Sequence, residues 1–158
     1  MDINILDYLS KDTIVVGLKQ KTKRKMLAAI LEHLIAKKKI NKDDEKEILK
    51  NLLQRESMGS TAIGGYIALP HARITSVKNI VICFVVAKEG VEFDSLDQEP
   101  VNIIALLLSN QKEAGLHLKM LAFLARILRD KYFVQQLKNA VSSEDVLALI
   151  NKQQQVIS

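Results

Sequence analysis

Residues 55–73 read RESMGSTAIGGYIALPHAR, and within them Arg55 lies upstream of His71, a histidine that directly follows Pro70. The chain holds three histidines, His33, His71 and His117. A neutral imidazole is a competent nucleophile near pH 7, and a guanidinium grips phosphate oxygens with a planar fork. An imidazole beside a second imidazole and a guanidinium is equipped for reversible phosphoryl transfer to histidine. Other chemistries lack their parts. Zinc takes three or four protein ligands, yet the histidines have neither HxH nor HxxxH spacing and Cys83 is the single cysteine. No metal site is expected. A hydrolase built on a nucleophile elbow needs GxSxG, which is absent.

Each of these residues also has a purely structural reading. His117 shares a helix face with Leu121, Leu124 and Leu128, so spacing alone makes it a hydrogen-bonded core histidine. Arg55 alone is a cation near a helix C-terminus, where it complements orphan carbonyls. His71 ends a short strand, a place where a rigid scaffold exposes active groups. His33 lies at the edge of an apolar stripe and reads as a partly exposed surface residue. Chemistry follows only if the fold gathers Arg55, His71 and His117.

The elements that must do the gathering are legible from periodicity. Thr13–Val16 is a short β-branched strand. Residues 22–38 form a helix, with Met26, Leu27, Ile30, Leu31, Leu34 and Ile35 at helical spacing. Asn41 caps a second helix whose first turn carries Asp43, Asp44 and Glu45, where the helix dipole favours negative charge. That helix stops at Gly59, leaving Arg55 on its last turn. Gly64-Gly65 signals a hairpin, and Tyr66–Leu69 form the strand that delivers Pro70 and His71. Residues 80–86 and 101–108 are near-continuous apolar runs, the pattern of central strands covered on both faces. Residues 113–130 form a long helix and residues 132–140 a shorter one. Ser142 opens a last helix with Asp145 at the capping-box position. The expected architecture is α/β, a mixed sheet of about four to five strands sandwiched between helices on both faces, in a single domain over residues 1–158.

Composition bounds the function. The 158 residues are 48% hydrophobic, enough for one domain with a real core and too apolar for a disordered chain. No apolar run approaches the roughly 18 residues of a spanning helix, and the N-terminal MDINILDYLSKD lacks the apolar core of a signal peptide. A cytoplasmic protein without membrane insertion is expected. The formal charge of +5 is dispersed except in LKQKTKRK, residues 18–25. That cluster reads as a solvated helix start rather than a nucleic-acid patch, because no aromatic is interleaved with it. Cys83, inside IVICFVV, reads as a buried and inert thiol, lacking the glycine-rich or helix-N-terminal setting that stabilises a thiolate.

The segment REsMGSTaIGgyIAlPHa resembles the phosphorylation-site segment of the enzyme IIA components of the bacterial phosphotransferase system, in the fructose/mannitol class. VEFDSLDQEPVNIIALLLS (residues 91–109) is similar to that family's F-D-x-x-D-x-x-P-V segment and the strand after it. HLKMLAFLARIL (residues 117–128) is similar to its helix with a leading histidine. The likeness spans roughly residues 5–150 and is nearest to the nitrogen-regulatory branch, since no enzyme IIB, IIC or HPr segment is seen. It implies that His71 accepts phosphate from phospho-HPr, that His117 is the second active-site histidine, and that Arg55 stands near the phosphoryl group. It implies no cofactor. Ser60 and Thr61 fall in the matching GST turn, and their hydroxyls are expected to orient an imidazole nitrogen or a phosphate oxygen. Ala72-Arg73 stands where many members have Gly-Lys. The resemblance leaves two partners open downstream, a regulatory target protein or a separate enzyme IIB for sugar transport.

Overall fold

The computed structural model describes residues 3–157. Five strands form one mixed sheet: β1 (Ile14–Val16), β2 (Ile67–Ala68), β3 (His71–Arg73), β4 (Val81–Val91) and β5 (Val101–Ser109). The order is β1-β4-β5-β2, with β3 also on β5. β4 and β5 are antiparallel, whereas β1 runs parallel to β4, and both β2 and β3 run parallel to β5. The helices are α1 (Lys23–Ala36), α2 (Glu45–Ser57), α3 (Ala114–Ile127), α4 (Lys131–Lys138) and α5 (Ser143–Ile157). The α/β sandwich expected from the sequence is the one observed.

The two apolar runs occupy the centre of the sheet, and every residue of β5 is buried. Strand alternation divides their side chains between two cores. Cys83, Val85, Ile104 and Leu106 pack with Met26, Leu27, Ile30, Ile48 and Leu52 of α1 and α2. Ile82, Phe84, Ile103 and Leu107 pack with Met120, Phe123, Phe133 and Val146 of α3, α4 and α5. Each large side chain so buried stabilises by about 1.5–3 kcal/mol against exposure, before its ordering entropy.

Side-chain caps set the helix starts, at Asn41 and Ser142 as expected and at Thr22 as well. Thr22 Oγ1 accepts from Lys25 N at 3.3 Å to start α1, and Asn41 Oδ1 accepts from Asp43 N at 2.9 Å in the 3-10 turn that leads into α2. Ser142 Oγ accepts from Asp145 N at 3.1 Å, but the Asp145 carboxylate reaches back to Val141 N rather than to Ser142, so the box closes one residue early.

Three expectations are corrected. First, Gly64-Gly65 turns no hairpin. Gly64 and Ile67 make one antiparallel bridge, Tyr66 takes a φ of 67°, and the chain then runs parallel to β5. The residues before the glycines are held instead by another loop, through Leu96 N to Ala62 O and Gly65 N to Asp97 Oδ2. Second, His71 begins β3 rather than ending β2. Ile67 pairs with Ile103 and His71 with Leu107, so β2 and β3 are one edge strand interrupted at Leu69-Pro70. Proline has no N–H to give, and an edge strand tolerates that where a central one does not. Third, the basic cluster is not uniformly solvated. Lys23, with its side chain 13% exposed, sits 3.2 Å from Glu56, 3.3 Å from Asp94 and 5.2 Å over the Phe93 ring. Lys19, Lys21, Arg24 and Lys25 are exposed as expected.

Candidate active site

The interrupted edge strand is what presents His71. Ala72 points into the α1/α2 core, so its neighbours His71 and Arg73 take the opposite direction, one half-buried and one exposed. The end of β5 lies alongside, with Arg73 in register with Ser109. The loop after Ser109 is pinned by Asn110, whose Nδ2 donates to Val77 O at 2.8 Å and Thr75 O at 3.2 Å. That loop feeds α3, and His117, on its first turn, returns over β5. From the other side α2 packs against β3 and brings Arg55.

The three expected residues do meet. Arg55, His71 and His117 line one open cleft of about 820 Å3, with Arg73, Met58 and Leu118 around them. The His71 and His117 rings stand edge to face, 5.5 Å between centroids and 60° between planes. Arg55 Nη1 donates to Gly59 O at 2.7 Å, which ties the guanidinium to the end of its own helix. Gly59 has a φ of 142°, a conformation that only glycine adopts without strain.

Each ring has its Nδ1 engaged by a hydrogen bond. Nδ1 of His71 lies 2.8 Å from Leu69 O. A carbonyl only accepts, so Nδ1 carries the proton and Nε2 holds the lone pair. Burial holds the His71 pKa below its usual 6.5, and the nearby Arg55 charge adds to that, against the opposing pull of the Leu69 carbonyl and Glu56. His117 is only 5% exposed, and its Nδ1 lies 2.5 Å from Ser109 Oγ. Burial, then His71 and Arg73, lower its pKa to about 4. Both rings are neutral at pH 7. His71 therefore offers a nucleophilic Nε2 in a cleft that Arg55 and Arg73 also line, and their positive charge suits a phosphoryl dianion.

Ser60 and Thr61 have other work. Ser60 Oγ donates to Phe93 O at 2.7 Å, and Thr61 Oγ1 donates to Glu56 Oε2 at 2.5 Å. Their hydroxyls hold the loop to its neighbours, and neither residue lines the cleft. In this geometry neither hydroxyl bonds an imidazole nitrogen. His33 stays remote, with Nε2 2.7 Å from Asp12 O. Cys83 is fully buried, and burial pushes its thiol up to about 12.

Two participants were not anticipated. Ser109 looks like the polar end of a strand, and Glu56 like an ordinary helix-surface acid. Glu56 is in fact 6% exposed and accepts from Thr61 N at 3.0 Å as well as from the Thr61 hydroxyl. Among the described residues no three His, Cys, Asp or Glu side chains gather as a metal-ligand set, and no helix is long and apolar enough to cross a membrane.

The chain is similar to known proteins over most of its length. The family described as phosphoenolpyruvate-dependent sugar phosphotransferase system, EIIA 2, matches residues 7–153. A nitrogen regulatory protein of Bradyrhizobium diazoefficiens is 30% identical over 147 residues, covering 92% of this chain and 94% of its own length. A PTS system fructose-specific EIIABC component of Bacillus subtilis is 31% identical over 150 residues, 95% of this chain but only 23% of that longer protein. The crystal structure of nitrogen regulatory protein IIA-Ntr from Neisseria meningitidis superposes with a TM-score of 0.83 at 29% identity, covering 92% of this chain and 98% of that one.

Proposed function

This chain belongs to the EIIA 2 family of the phosphoenolpyruvate-dependent sugar phosphotransferase system, and on that premise we propose that it carries a phosphoryl group on Nε2 of His71, received from phospho-HPr, in a cytoplasmic regulatory relay. The observation that carries the reading is the 2.8 Å contact between His71 Nδ1 and the Leu69 carbonyl. It leaves Nε2 unprotonated in a cleft shared with Arg55 and His117.

The step balances simply. The His71 Nε2 lone pair attacks phosphorus, the P–N bond to the donor histidine breaks, and that electron pair returns to the donor imidazole. The proton stays on Nδ1, donated to the Leu69 carbonyl, and that hydrogen bond strengthens as the ring gains positive character. Phosphoryl transfer of this kind passes through a loose, in-line transition state, so catalysis is positioning and charge stabilisation. Arg55 supplies the fork, and His117 supplies an N–H to a phosphoryl oxygen. The product adds negative charge at the mouth of the cleft, which alters the surface that a partner meets. Exposed Met58 and Leu118 on the rim supply apolar contact for such a partner.

The regulatory role draws support from the nitrogen regulatory relative, which matches along nearly its whole length. The fructose-specific relative favours a second reading, sugar transport with onward transfer to a cysteine of a separate enzyme IIB. Incubation with phosphoenolpyruvate, enzyme I and HPr, followed by intact-mass measurement, tests the core of the proposal. One acid-labile phosphate is expected on the wild type and none on His71→Ala. Adding a purified enzyme IIB domain to the phosphorylated protein separates the two roles, since only the transport reading predicts rapid onward transfer.

A further inference from the structure

The last residue of β5 is fully buried, and its hydroxyl has one hydrogen-bond partner among the described residues, Nδ1 of His117 at 2.5 Å. Two arrangements fit that distance. In one, the ring N–H donates to the hydroxyl oxygen. The hydroxyl proton is then left without an acceptor in a site closed to water, and a buried orphan donor is costly. Nε2 would also turn a lone pair toward His71 and repel any phosphate placed there. In the other, the hydroxyl donates to the ring. Its proton is satisfied, and Nε2 carries the N–H.

We propose that Ser109 is a positioning residue: its hydroxyl donates to Nδ1 of His117, holds that ring in the Nε2–H tautomer, and so makes His117 a hydrogen-bond donor to the phosphoryl group on His71. The geometry of the Ser109–His117 pair stands without any phosphate, but its consequence rests on the phosphocarrier reading above. The ring stays neutral near pH 7, because burial and its charged neighbours disfavour the imidazolium. A neutral ring has one proton to place, so whichever group holds Nδ1 decides what Nε2 offers. The backbone holds Ser109 firmly: its carbonyl accepts from Ile74 N at 2.7 Å, and it is in register with Arg73. The hydroxyl is thus fixed by the same sheet that fixes His71, and the two rings keep a constant relation.

The test compares Ser109→Thr with Ser109→Val. The two side chains have the same shape, so any crowding in β5 is common to both and only the hydroxyl differs. Two-bond proton–nitrogen NMR spectra of histidine-labelled protein at pH 7 report the tautomer. Wild type and Ser109→Thr are expected to show His117 with an unprotonated, hydrogen-bonded Nδ1 and a protonated Nε2. In Ser109→Val the Nδ1 resonance moves toward that of a free pyridine-type nitrogen, and phosphoryl uptake from phospho-HPr is about tenfold slower than in Ser109→Thr. Ser109→Ala against wild type gives the same comparison if the branched residues unfold the strand. A wild-type His117 protonated on Nδ1, or equal uptake by the Thr and Val variants, overturns the proposal. A wild type that takes no phosphate at all instead fails the phosphocarrier reading, while the tautomer spectrum still decides whether Ser109 donates.

Discussion

His71 and His117 stand 5.5 Å apart between ring centroids, and each has its Nδ1 engaged on a different partner, the Leu69 carbonyl at 2.8 Å and the Ser109 hydroxyl at 2.5 Å. The carbonyl forces a proton onto one Nδ1, and the hydroxyl offers one to the other. Two chemically identical rings thereby take complementary roles at Nε2, lone pair on His71 and N–H on His117. The first prediction follows directly. Phosphate on His71 should form the Nε2 adduct and not the Nδ1 adduct. Phosphorus and nitrogen NMR of the phosphorylated protein distinguishes the two, and an Nδ1 adduct would mean that the Leu69 contact does not set the reactive nitrogen.

Acid should weaken the fold as the histidines are forced to take up protons. The unfolded His117 ring binds a proton near its usual 6.5, whereas the folded ring resists protonation down to about 4. Between those values the unfolded state holds more protons, so stability falls as pH is lowered through the window and is fully present above it. The loss amounts to something on the order of 3 kcal/mol. His71 contributes in the same direction. The lowered carboxylates, Asp97 and Asp130, act only at lower pH, below their ordinary 3.8. Thermal melts from pH 7 to 4 should therefore fall steeply in wild type and more gently in His117→Gln. Phosphoryl uptake, which needs neutral His71, should fall off only at lower pH than for an ordinary imidazole of 6.5. Parallel melting profiles for the two proteins would show that His117 is not the buried neutral ring described here.

Arg55 should matter to transfer far more than to folding. Among the described residues its one hydrogen bond is to Gly59 O at 2.7 Å, at the exposed end of α2, and the guanidinium also lines the cleft. Arg55→Lys keeps the charge and loses the planar fork. Removing a preorganised charged donor slows reactions by about 10²–10³. Stopped-flow phosphorylation of Arg55→Lys should show a loss of that order, with a melting temperature close to wild type. A normal rate with a lowered melting temperature would return Arg55 to the role of a helix-end cation.

Cys83 should stay silent in native protein. Burial in the α1/α2 core and a thiol pushed up to about 12 leave almost no thiolate at pH 8. Alkylation should proceed only at the rate of unfolding. Fast labelling of the folded protein would reopen a chemical role for the thiol.

What the sequence could and could not disclose follows from range. The apolar runs of β4 and β5 announced central strands because both faces of each are covered. Caps such as Asn41 and Ser142 act within three residues, so they too were legible. The trio of Arg55, His71 and His117 was suggested by residue chemistry and by resemblance, but periodicity alone favoured a structural His117. Ser109 gave no signal, because a serine ending a buried strand looks like ordinary strand termination and its partner lies across a loop. The hairpin at Gly64-Gly65 failed because a two-glycine turn specifies a local reversal, whereas the partner of β2 is β5, whose register is set by the distant pairing of Ile67 with Ile103. Lys23 looked solvated because it belongs to a run of basic residues, and only tertiary packing brings it to 3.2 Å from Glu56.

That last pair carries the final prediction. The Glu56 carboxylate accepts from Thr61 N at 3.0 Å, from Thr61 Oγ1 at 2.5 Å and from Lys23 Nζ at 3.2 Å, so it joins α1, α2 and the loop that follows α2. Glu56→Ala leaves a buried N–H, a buried hydroxyl and a mostly buried ammonium without their acceptor. Breaking a buried pair from one side costs about 3–5 kcal/mol. Lys23 keeps the exposed Asp94 at 3.3 Å, which places the loss near the lower end. For a chain of this size roughly 3 kcal/mol lowers the melting temperature by about 6–12 °C. The same loop contains Gly59, whose carbonyl anchors Arg55, so phosphoryl uptake should fall as well, even below the melting transition. Lys23→Met should also destabilise, since it strands the carboxylate, while Glu56→Gln should lie between because the amide retains one acceptor oxygen. If Glu56→Ala melts within about 2 °C of wild type, Glu56 contributes no more than a surface ion pair and the loop is held by other contacts.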